Sequence, residues 1–385
     1  MSQPAEVLPY DVVCLSHLRW NFVFQRPQHL LTRCAAERRV FFFEEPVYEA
    51  TAIPRIELKR DQGVHVVVPY LPAGIDPDTA SAAQRQLLDQ LMMGERIENF
   101  VLWYYTPMAV PFTAHLQPRA VVYDCMDELS AFAQAPAELR AYERQLLARA
   151  DVVFTGGQSL YEAKRDSHPN VHALPSSVDV PHFAAARRAT VDPEDQAAIP
   201  HPRLGYFGVI DERMDMELLR GVATLRPEWH IVLLGPIVKI DPATVPALPN
   251  VHCLGPKSYG DLPRYIGSWD VAILPFARNE ATRFISPTKT PEYMAAGRAV
   301  VSTSIRDVVR PYGQQGLVQI ADTAEAFVAA CEAAMGEDAV TRQRHADAFL
   351  RQTSWDGTWA RMRHFVDQSS AHRQEVAAVA AAPAV

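Results

Sequence analysis

No stretch of this chain strings together enough apolar residues to span a bilayer. The N-terminal MSQPAEVLPYD does not join a basic segment to an apolar core, so no secretion signal is expected. There is no CxxC pair. The five cysteines, Cys14, Cys34, Cys125, Cys253 and Cys331, are scattered, which suits reduced, buried thiols in a cytosolic protein. Thirteen histidines are scattered too. His168 and His172 stand four apart, but Pro169 breaks the helix that a zinc pair would need, so no metal site is expected, and no cofactor is expected either. An excess of base is also missing. The net charge of -8 argues against a general nucleic-acid partner. Glycine is absent from LSHLRWNF (15–22), where a dinucleotide-binding dehydrogenase would carry GxGxxG after its first strand, and that excludes such an enzyme.

What the chain has is a rhythm. Its 385 residues, 48% hydrophobic and 21% charged, suit a globular protein of two domains. Short apolar runs rich in Val, Ile and Phe recur at 11–16, 40–45, 64–69, 100–105, 120–125 and 151–156. They are continuous rather than alternating, as in parallel strands buried on both faces. Segments 80–98 and 136–150 carry helical spacing between them. The rhythm lapses in a Pro- and Asp-rich stretch, 175–202, and restarts with runs at 203–208, 230–235, 251–255, 270–275 and 299–303. Helices are expected at 214–225, 259–268, 291–296, 323–336, 338–351 and 354–369. The fold class that follows is α/β, with two Rossmann-like doubly wound domains facing a central cleft. The expected division is 1–180 for the first domain, 181–202 for a linker and 203–353 for the second, with a helix at 354–372 and a disordered tail at 373–385.

In open α/β sheets, ligands sit beyond the carboxyl ends of strands. The unusual residues fall there. His17, Arg19 and Trp20 follow the first run; Tyr104, Tyr105 and Thr106 follow the fourth; Asp124, Asp127 and Glu128 follow the fifth. Gly208 to Arg213 follow the first run of the second half. Asp127 is a candidate catalytic carboxylate, with a helix cap or an ion pair as the plain alternative. Arg26 and His29 share one helix face and, with Arg19, His17 and Tyr105, form a candidate binding face; a solvated face and burial in the sheet are the alternatives. The segment SPTKTPEYMAAGRAVVST (286–303) places Ser286, Thr288, Lys289 and Thr290 at a helix mouth. Pro291 and Glu292 lie in the first turn and Gly297 stops the helix. That is an anion cradle with a carboxylate able to accept from two vicinal hydroxyls, or ordinary helix-start chemistry.

SPTKTPEYMAAGRAVVST, following SWDVAILPF (268–276), resembles the donor region of GT-B glycosyltransferases of the large retaining group called family 4, or group 1. The resemblance implies that Glu292 binds the ribose and that Ser286, Thr288, Lys289 and Thr290 hold the diphosphate. The family's preceding glutamate, eight residues earlier, is replaced here by Phe284. In GYFGVIDERMDMELL (205–219), Gly208 is kept, Val209 stands in place of the family's arginine, and Arg213 is the nearby substitute. LGPKSYGDLPRYIGSWD (254–270) resembles the base-binding segment, with Lys257, Ser258 and Tyr259 flanking the base. LSHLRWNFVFQRPQHLL (15–31) resembles a bacterial branch. The likeness covers most of residues 10–365 and implies that 1–180 takes the acceptor, with His17, Arg19, Arg26 and Tyr105 on that side, that 203–353 takes the nucleotide sugar, and that the 354–372 helix crosses back to the first half. It implies a cytoplasmic, metal-independent hexosyl transfer, at the inner membrane face where the acceptor is lipid-linked. The donor is UDP- or GDP-linked and the acceptor a carbohydrate or lipid-linked sugar, with catalytic roles for Asp127, Lys289 and Arg213. A peripheral membrane contact is expected through Phe22, Phe24 and the 106–119 loop. The alternatives are a GT-B sugar-nucleotide epimerase, for which the chain offers a poorer set of acids and histidines, and a non-catalytic sugar-nucleotide binder.

Overall fold

The computed structural model describes residues 10–50, 53–189 and 191–381. Two parallel sheets dominate it. In the first half the strands are β1 (Asp11–Leu15), β2 (Val40–Phe43), β3 (Val47–Glu49), β4 (Arg55–Asp61), β5 (Val64–Pro72), β6 (Phe100–Tyr104), β7 (Ala120–Cys125), β8 (Val152–Thr155) and β9 (Val171–Ala173). Their order is β3-β5-β2-β1-β6-β7-β8-β9. The second half holds β10 (Arg203–Phe207), β11 (His230–Leu234), β12 (Val251–Gly255), β13 (Val271–Leu274), β14 (Ala299–Ser302) and β15 (Gln319–Ile320), in the order β12-β11-β10-β13-β14-β15. Each sheet reverses its winding once, between β1 and β6 in the first and between β10 and β13 in the second. Those are the points where a doubly wound sheet leaves a crevice.

The continuous apolar runs are explained by burial on both faces. In β1, Val12 and Cys14 enter one core layer while Val13 and Leu15 enter the opposite one, the period-two alternation of a strand. The apolar rhythm missed β4, whose RIELKRD is largely charged and mostly exposed. It pairs antiparallel with β5 through the Asp61–Gln62–Gly63 turn, where Gln62 and Gly63 have φ of 45° and 86°. Arg55, Lys59 and Arg60 on this edge strand discourage pairing with another chain.

Three expectations need correction. The 181–202 stretch is not a loose linker. It forms short helices, and Phe183 and Ile199 enter the core of the second half while Gln196 is fully buried beside it. Of the tail expected to be disordered, 373–381 are instead the end of a helix, Trp355–Ala381, because an Ala-rich sequence costs little conformational entropy in a helix, and 382–385 lie outside the described residues. The 106–119 segment is an apolar surface only in part: Pro107, Ala109, Val110 and Phe112 are buried against the first sheet, while Pro111 and Ala114 are exposed. No helix of the described residues is long and apolar enough to cross a membrane.

Two features hold the first half together. The last helix lays Trp355, Trp359, Met362 and Val366 into that half's core, although it follows the second half in sequence. Beneath it lies Arg26, 1% exposed, paired with the fully buried Asp124. Arg26 Nε donates to both Asp124 oxygens at 3.1 Å, Nη2 to Oδ1 at 2.8 Å and Nη1 to the Leu174 carbonyl at 2.8 Å. Arg26 is therefore not on an acceptor face, nor on a solvated one.

Truncation and substitution test these two features. Burial of each large apolar side chain is worth about 1.5–3 kcal/mol. Removing the last helix from Trp355 onward is expected to consume most of a marginal stability and leave aggregating protein, whereas ending the chain after Glu375 keeps the Arg373–Asp151 pair and should move Tm by less than about 2 °C. Arg26→Met should cost about 3–5 kcal/mol in urea unfolding, because it strands a buried carboxylate, and Arg26→Met with Asp124→Leu should recover most of that loss. A double variant no better than the single one would show that packing, not charge, sets the cost.

Candidate active site

Between the two halves lies a cleft of about 340 Å³. Its floor is the second half: Phe207, Gly208 and Val209 after β10, Leu234 and Gly235 at the end of β11, Lys257, Ser258 and Tyr259 after β12, and Thr288, Lys289 and Glu292 of the helix Lys289–Ala295. Its roof is the first half: the loop Trp20–Gln25 and the Asp61–Gln62 turn. The roof is itself pinned, since Trp20 Nε1 donates to Asp61 at 2.8 Å and Trp20 N to Glu44 at 2.7 Å.

Two glycines make the floor possible. Gly208 has φ of 132° and a Cβ there would lie 2.2 Å from Lys289 Cε; Gly235 has φ of 147° and a Cβ there would lie 1.8 Å from the Gly208 carbonyl oxygen. A side chain at either position would push Lys289 or the β10 terminus out of place.

Lys289 and Glu292 stand out in this cleft as charges left unpaired. Glu292 is 6% exposed and its Oε2 is buried without a hydrogen-bond partner among the described residues. Lys289 forms no hydrogen bond or ion pair among the described residues, and its Nζ lies 5.6 Å from the Tyr206 ring centre. Burial pushes the Glu292 carboxyl up and the Lys289 ammonium down, and each partly offsets the other's shift through its charge. Arg213 also lines the cleft but is committed: its guanidinium grips Asp211 with contacts of 2.7–3.1 Å, and Arg213 N donates to the same carboxylate at 3.0 Å. Across from them, Asp127 stands at the end of β7. Burial raises its proton affinity, while the charges of Arg213 and Lys289 lower it. Phe132, in the loop that follows, lies 5.7 Å from the Arg213 guanidinium and 5.8 Å from Lys239 Nζ.

The structure thus brings Lys289, Glu292, Thr288, Gly208, Arg213, Lys257, Ser258 and Tyr259 to one cleft, with the field of Asp127 reaching it. Other expected site residues lie elsewhere. Ser286 packs against Gly157 of the first half. Thr290 is fully buried, and its N–H is used by the Pro287 carbonyl at 3.2 Å because the helix begins two residues before Pro291. Arg19 is engaged by Glu44 at 3.1 Å and by the carbonyls of Glu45 and Pro46. Tyr105 is 1% exposed inside the first core. His29 is stacked 4.4 Å from Trp355, and burial pushes its pKa down to about 3, so it carries no charge for an anion. His17 is half-buried after β1 with Nδ1 unpartnered among the described residues, and burial pushes its pKa down to about 4. Glu128 and Glu143 are tied to Lys164 at 2.7 and 2.8 Å. Lys257 is held by Asp195 at 2.7 Å and Ser258 caps its own turn.

Several lining residues carry no signal in the sequence. Phe24 stacks on Tyr259 at 4.4 Å, and Tyr259 stacks in turn on His182 at 4.1 Å, so an aromatic column joins the halves at the cleft. Nothing in the sequence joins positions 24, 182 and 259. Phe22 and Phe24 both line the cleft, and Phe22 is about half exposed. Gly235 had a signal: like Gly208, it is a glycine directly after an apolar run. The Asp76–Pro77–Asp78 triplet, which has a metal-ligand spacing, starts a helix instead, with Asp76 accepting from Thr79 N at 3.0 Å. No group of three or more metal-ligating side chains is present among the described residues. Phe284, in place of the family's first glutamate, packs toward the first core and not into the cleft.

Residues 201–337, which contain most of the cleft floor, match the family model described as glycosyl transferases group 1. A curated protein of Bacillus subtilis (strain 168), named "Putative teichuronic acid biosynthesis glycosyltransferase TuaH", is 24% identical over 275 residues, which cover 66% of this chain and 68% of that protein. Among solved structures, sucrose-phosphate synthase from Thermosynechococcus elongatus has a TM-score of 0.70 at 13% identity, over 96% of this chain and all of that one. The E. coli trehalose-6-phosphate protein bound with UDP-2-fluoro glucose has a TM-score of 0.69 at 10% identity, over 93% and 99%. These structures share the two-domain GT-B fold. The chain thus has the GT-B fold, and its residues 201–337 carry the likeness to group 1 glycosyltransferases, which supports a nucleotide-sugar-dependent glycosyltransferase.

Proposed function

We propose that the enzyme binds a UDP- or GDP-linked sugar in the interdomain cleft and transfers the sugar, with retention and without a metal ion, to a hydroxyl of a carbohydrate or lipid-linked acceptor in bacterial cell-surface glycan synthesis. The observation that carries this reading is the pair of unpaired charges, Lys289 and Glu292, facing one cleft beside two obligatory glycines. Buried groups without partners are rare in proteins, and two that line one cleft mark it as a candidate functional site. The similar E. coli structure is bound with a UDP-sugar, and the Bacillus subtilis relative is named for a glycan pathway; both support the same reading. It puts the enzyme in the cytoplasm or at the inner face of the membrane.

In this scheme Glu292 accepts hydrogen bonds from the ribose hydroxyls, and the tight backbone at Gly208 and Gly235 lets the diphosphate approach. The acceptor oxygen bonds to the anomeric carbon on the face from which the diphosphate oxygen departs, as that carbon–oxygen bond breaks, so one step keeps the configuration. Lys289, with Arg213 behind it, meets the charge that gathers on the departing diphosphate. Asp127 takes the acceptor's proton, a task suited to a carboxyl whose proton affinity is raised by burial.

Four measurements test the scheme. Glu292→Gln should weaken nucleotide-sugar binding by about 1.5–3 kcal/mol in calorimetry while leaving Tm nearly unchanged. Unchanged affinity for both UDP- and GDP-sugars removes Glu292 from the site. Lys289→Ala should lower kcat more than it raises KM, since the ammonium acts chiefly on charge formed in the transition state. Because burial pushes the Lys289 ammonium below its ordinary range, the alkaline fall of kcat/KM should begin well below the usual lysine pKa of about 10.4, and Lys289→Arg should move that fall upward. EDTA should leave transfer intact; a loss restored by magnesium or manganese would contradict the metal-free scheme.

A further inference from the structure

The first half meets the second just beyond β8. Gly156 and Gly157 follow that strand and lead into the helix Gln158–Lys164. Gly157 stands at the start of this helix and has no side chain with which to cap it. The cap comes from the other half. Asp307, 5% exposed in the short helix Arg306–Val308 after β14, accepts through Oδ1 from Ser159 N at 3.0 Å and from the Ser159 hydroxyl. Burial raises the proton affinity of Asp307, and the Ser159 hydroxyl, the N–H groups of Ser159 and Gln158, and the charge of Arg306 oppose that rise. Arg306 itself pairs with Glu162 across the same interface. Gly157 leaves no slack in this contact. A Cβ there would lie 2.3 Å from Asp307 Oδ2 and 2.6 Å from Ser286 Cβ, both in the second half. Its φ of -163° is extended backbone that any residue adopts, so the interface requires the glycine and the backbone does not. Gly156 is pressed from the other side. A Cβ there would lie 2.5 Å from the Met126 carbonyl oxygen, and its N–H donates to the Cys125 carbonyl at 2.9 Å. Met126 directly precedes Asp127, and Ser286 stands three residues before Lys289. The two glycines therefore fill the space between the turn that carries Asp127 and the loop that carries Lys289.

We propose that Gly156, Gly157 and Asp307 are positioning residues that set how closely Asp127 of the first half approaches Lys289 of the second. The inference rests on the transfer scheme above and deepens it. In that scheme a base on one half and a cation on the other act on a single transition state, so their separation has to be fixed by contacts between the halves. A misplacement of about 1 Å, made far from the chemistry, can cost roughly a hundredfold in rate. Glycine is the thinnest spacer a chain can supply, and a methyl group on Gly157 would have to push one half away. Asp307 holds the contact shut. Drawing it back leaves the first N–H groups of the Gln158–Lys164 helix without their acceptor, and a charge-assisted hydrogen bond is lost.

The test uses the full chain with one nitroxide on the native Cys253, which is exposed while the other four cysteines are buried, and a second on Met93→Cys at the exposed end of the helix Pro77–Gly94. Electron–electron double resonance then reads the distance between the halves. Turnover is read as release of UDP from UDP-glucose and of GDP from GDP-mannose, with water as the acceptor. The labelled parent should give one narrow distance. Gly157→Ala and Asp307→Ala should lengthen or broaden it, and each should lower kcat roughly tenfold or more while KM stays within a few-fold. Asp307→Asn keeps an oxygen that accepts from Ser159 N, so it should stay closer to the parent in both readouts than Asp307→Ala. The inference is overturned if Gly157→Ala or Asp307→Ala keeps the parent distance, if Asp307→Asn opens as far as Asp307→Ala, or if an opened variant keeps the parent kcat. Should Gly157→Ala fail to fold, the two Asp307 variants decide. A parent that releases neither nucleotide counts against the donor scheme, and the distances alone then decide the inference.

Discussion

A guanidinium buried to 1% holds the first half of this enzyme in register. Arg26 starts the helix after β1, its partner Asp124 lies at the end of β7, and its third acceptor, the carbonyl of Leu174, follows β9 just before the chain leaves for the second half. The Met362 sulfur of the last helix lies 4.0 Å from the same group. Four parts of the chain distant in sequence therefore meet at one charge. A buried ion pair adds little net stability over apolar packing, but it punishes any arrangement in which one partner is missing. Here that penalty falls on misplacing the carboxyl edge of the first sheet, the edge that faces the cleft.

The cleft follows from the same pairing of polar groups. Most charged groups near it are committed: Arg213 to Asp211, Lys257 to Asp195, Arg19 to Glu44, Lys164 to Glu128 and Glu143. Lys289 and Glu292 are not, and both are pushed toward neutrality by burial. A protein holds such charges apart and partly desolvated at a cost, which a diphosphate and a ribose would offset. The aromatic column of Phe24, Tyr259 and His182 closes the cleft across the two halves, and the interdomain bond from Ser159 N to Asp307 at 3.0 Å lies on another side of the interface. Both contacts tie the separation of the sheets to side chains that differ widely in sequence position.

How far the site is legible in the sequence varies with the kind of residue. Glu292, Lys289 and Gly208 are legible because each sits in a local pattern, a strand followed by a turn and a helix, where the residue type itself constrains the chemistry. Arg26, Arg19 and Tyr105 mislead for one reason: a charged or phenolic residue after a strand looks the same whether its partner is a ligand or a distant part of the chain. Their partners, Asp124, Glu44 and the first core, are set by sheet order. Gly157 and Asp307 escape notice because a glycine after a strand and an acid at a helix start are ordinary in their own surroundings, and only the fold shows that they meet.

The sequence by itself determined the α/β class, the two halves and most of the strands, because continuous apolar runs can be buried only where both faces of a sheet are covered. It also determined the last helix through its recurring Trp, Met and Val positions. It could not reveal β4, whose charges suit an edge, or the helical end of the tail, whose Ala-rich composition reads as low complexity. The tertiary structure alone decided which charges are paired. An electrostatic interaction depends on distance in space, and neither residue type nor spacing records that a carboxylate at 124 lies against a guanidinium at 26, while an ammonium at 289 is left for something the chain does not itself supply.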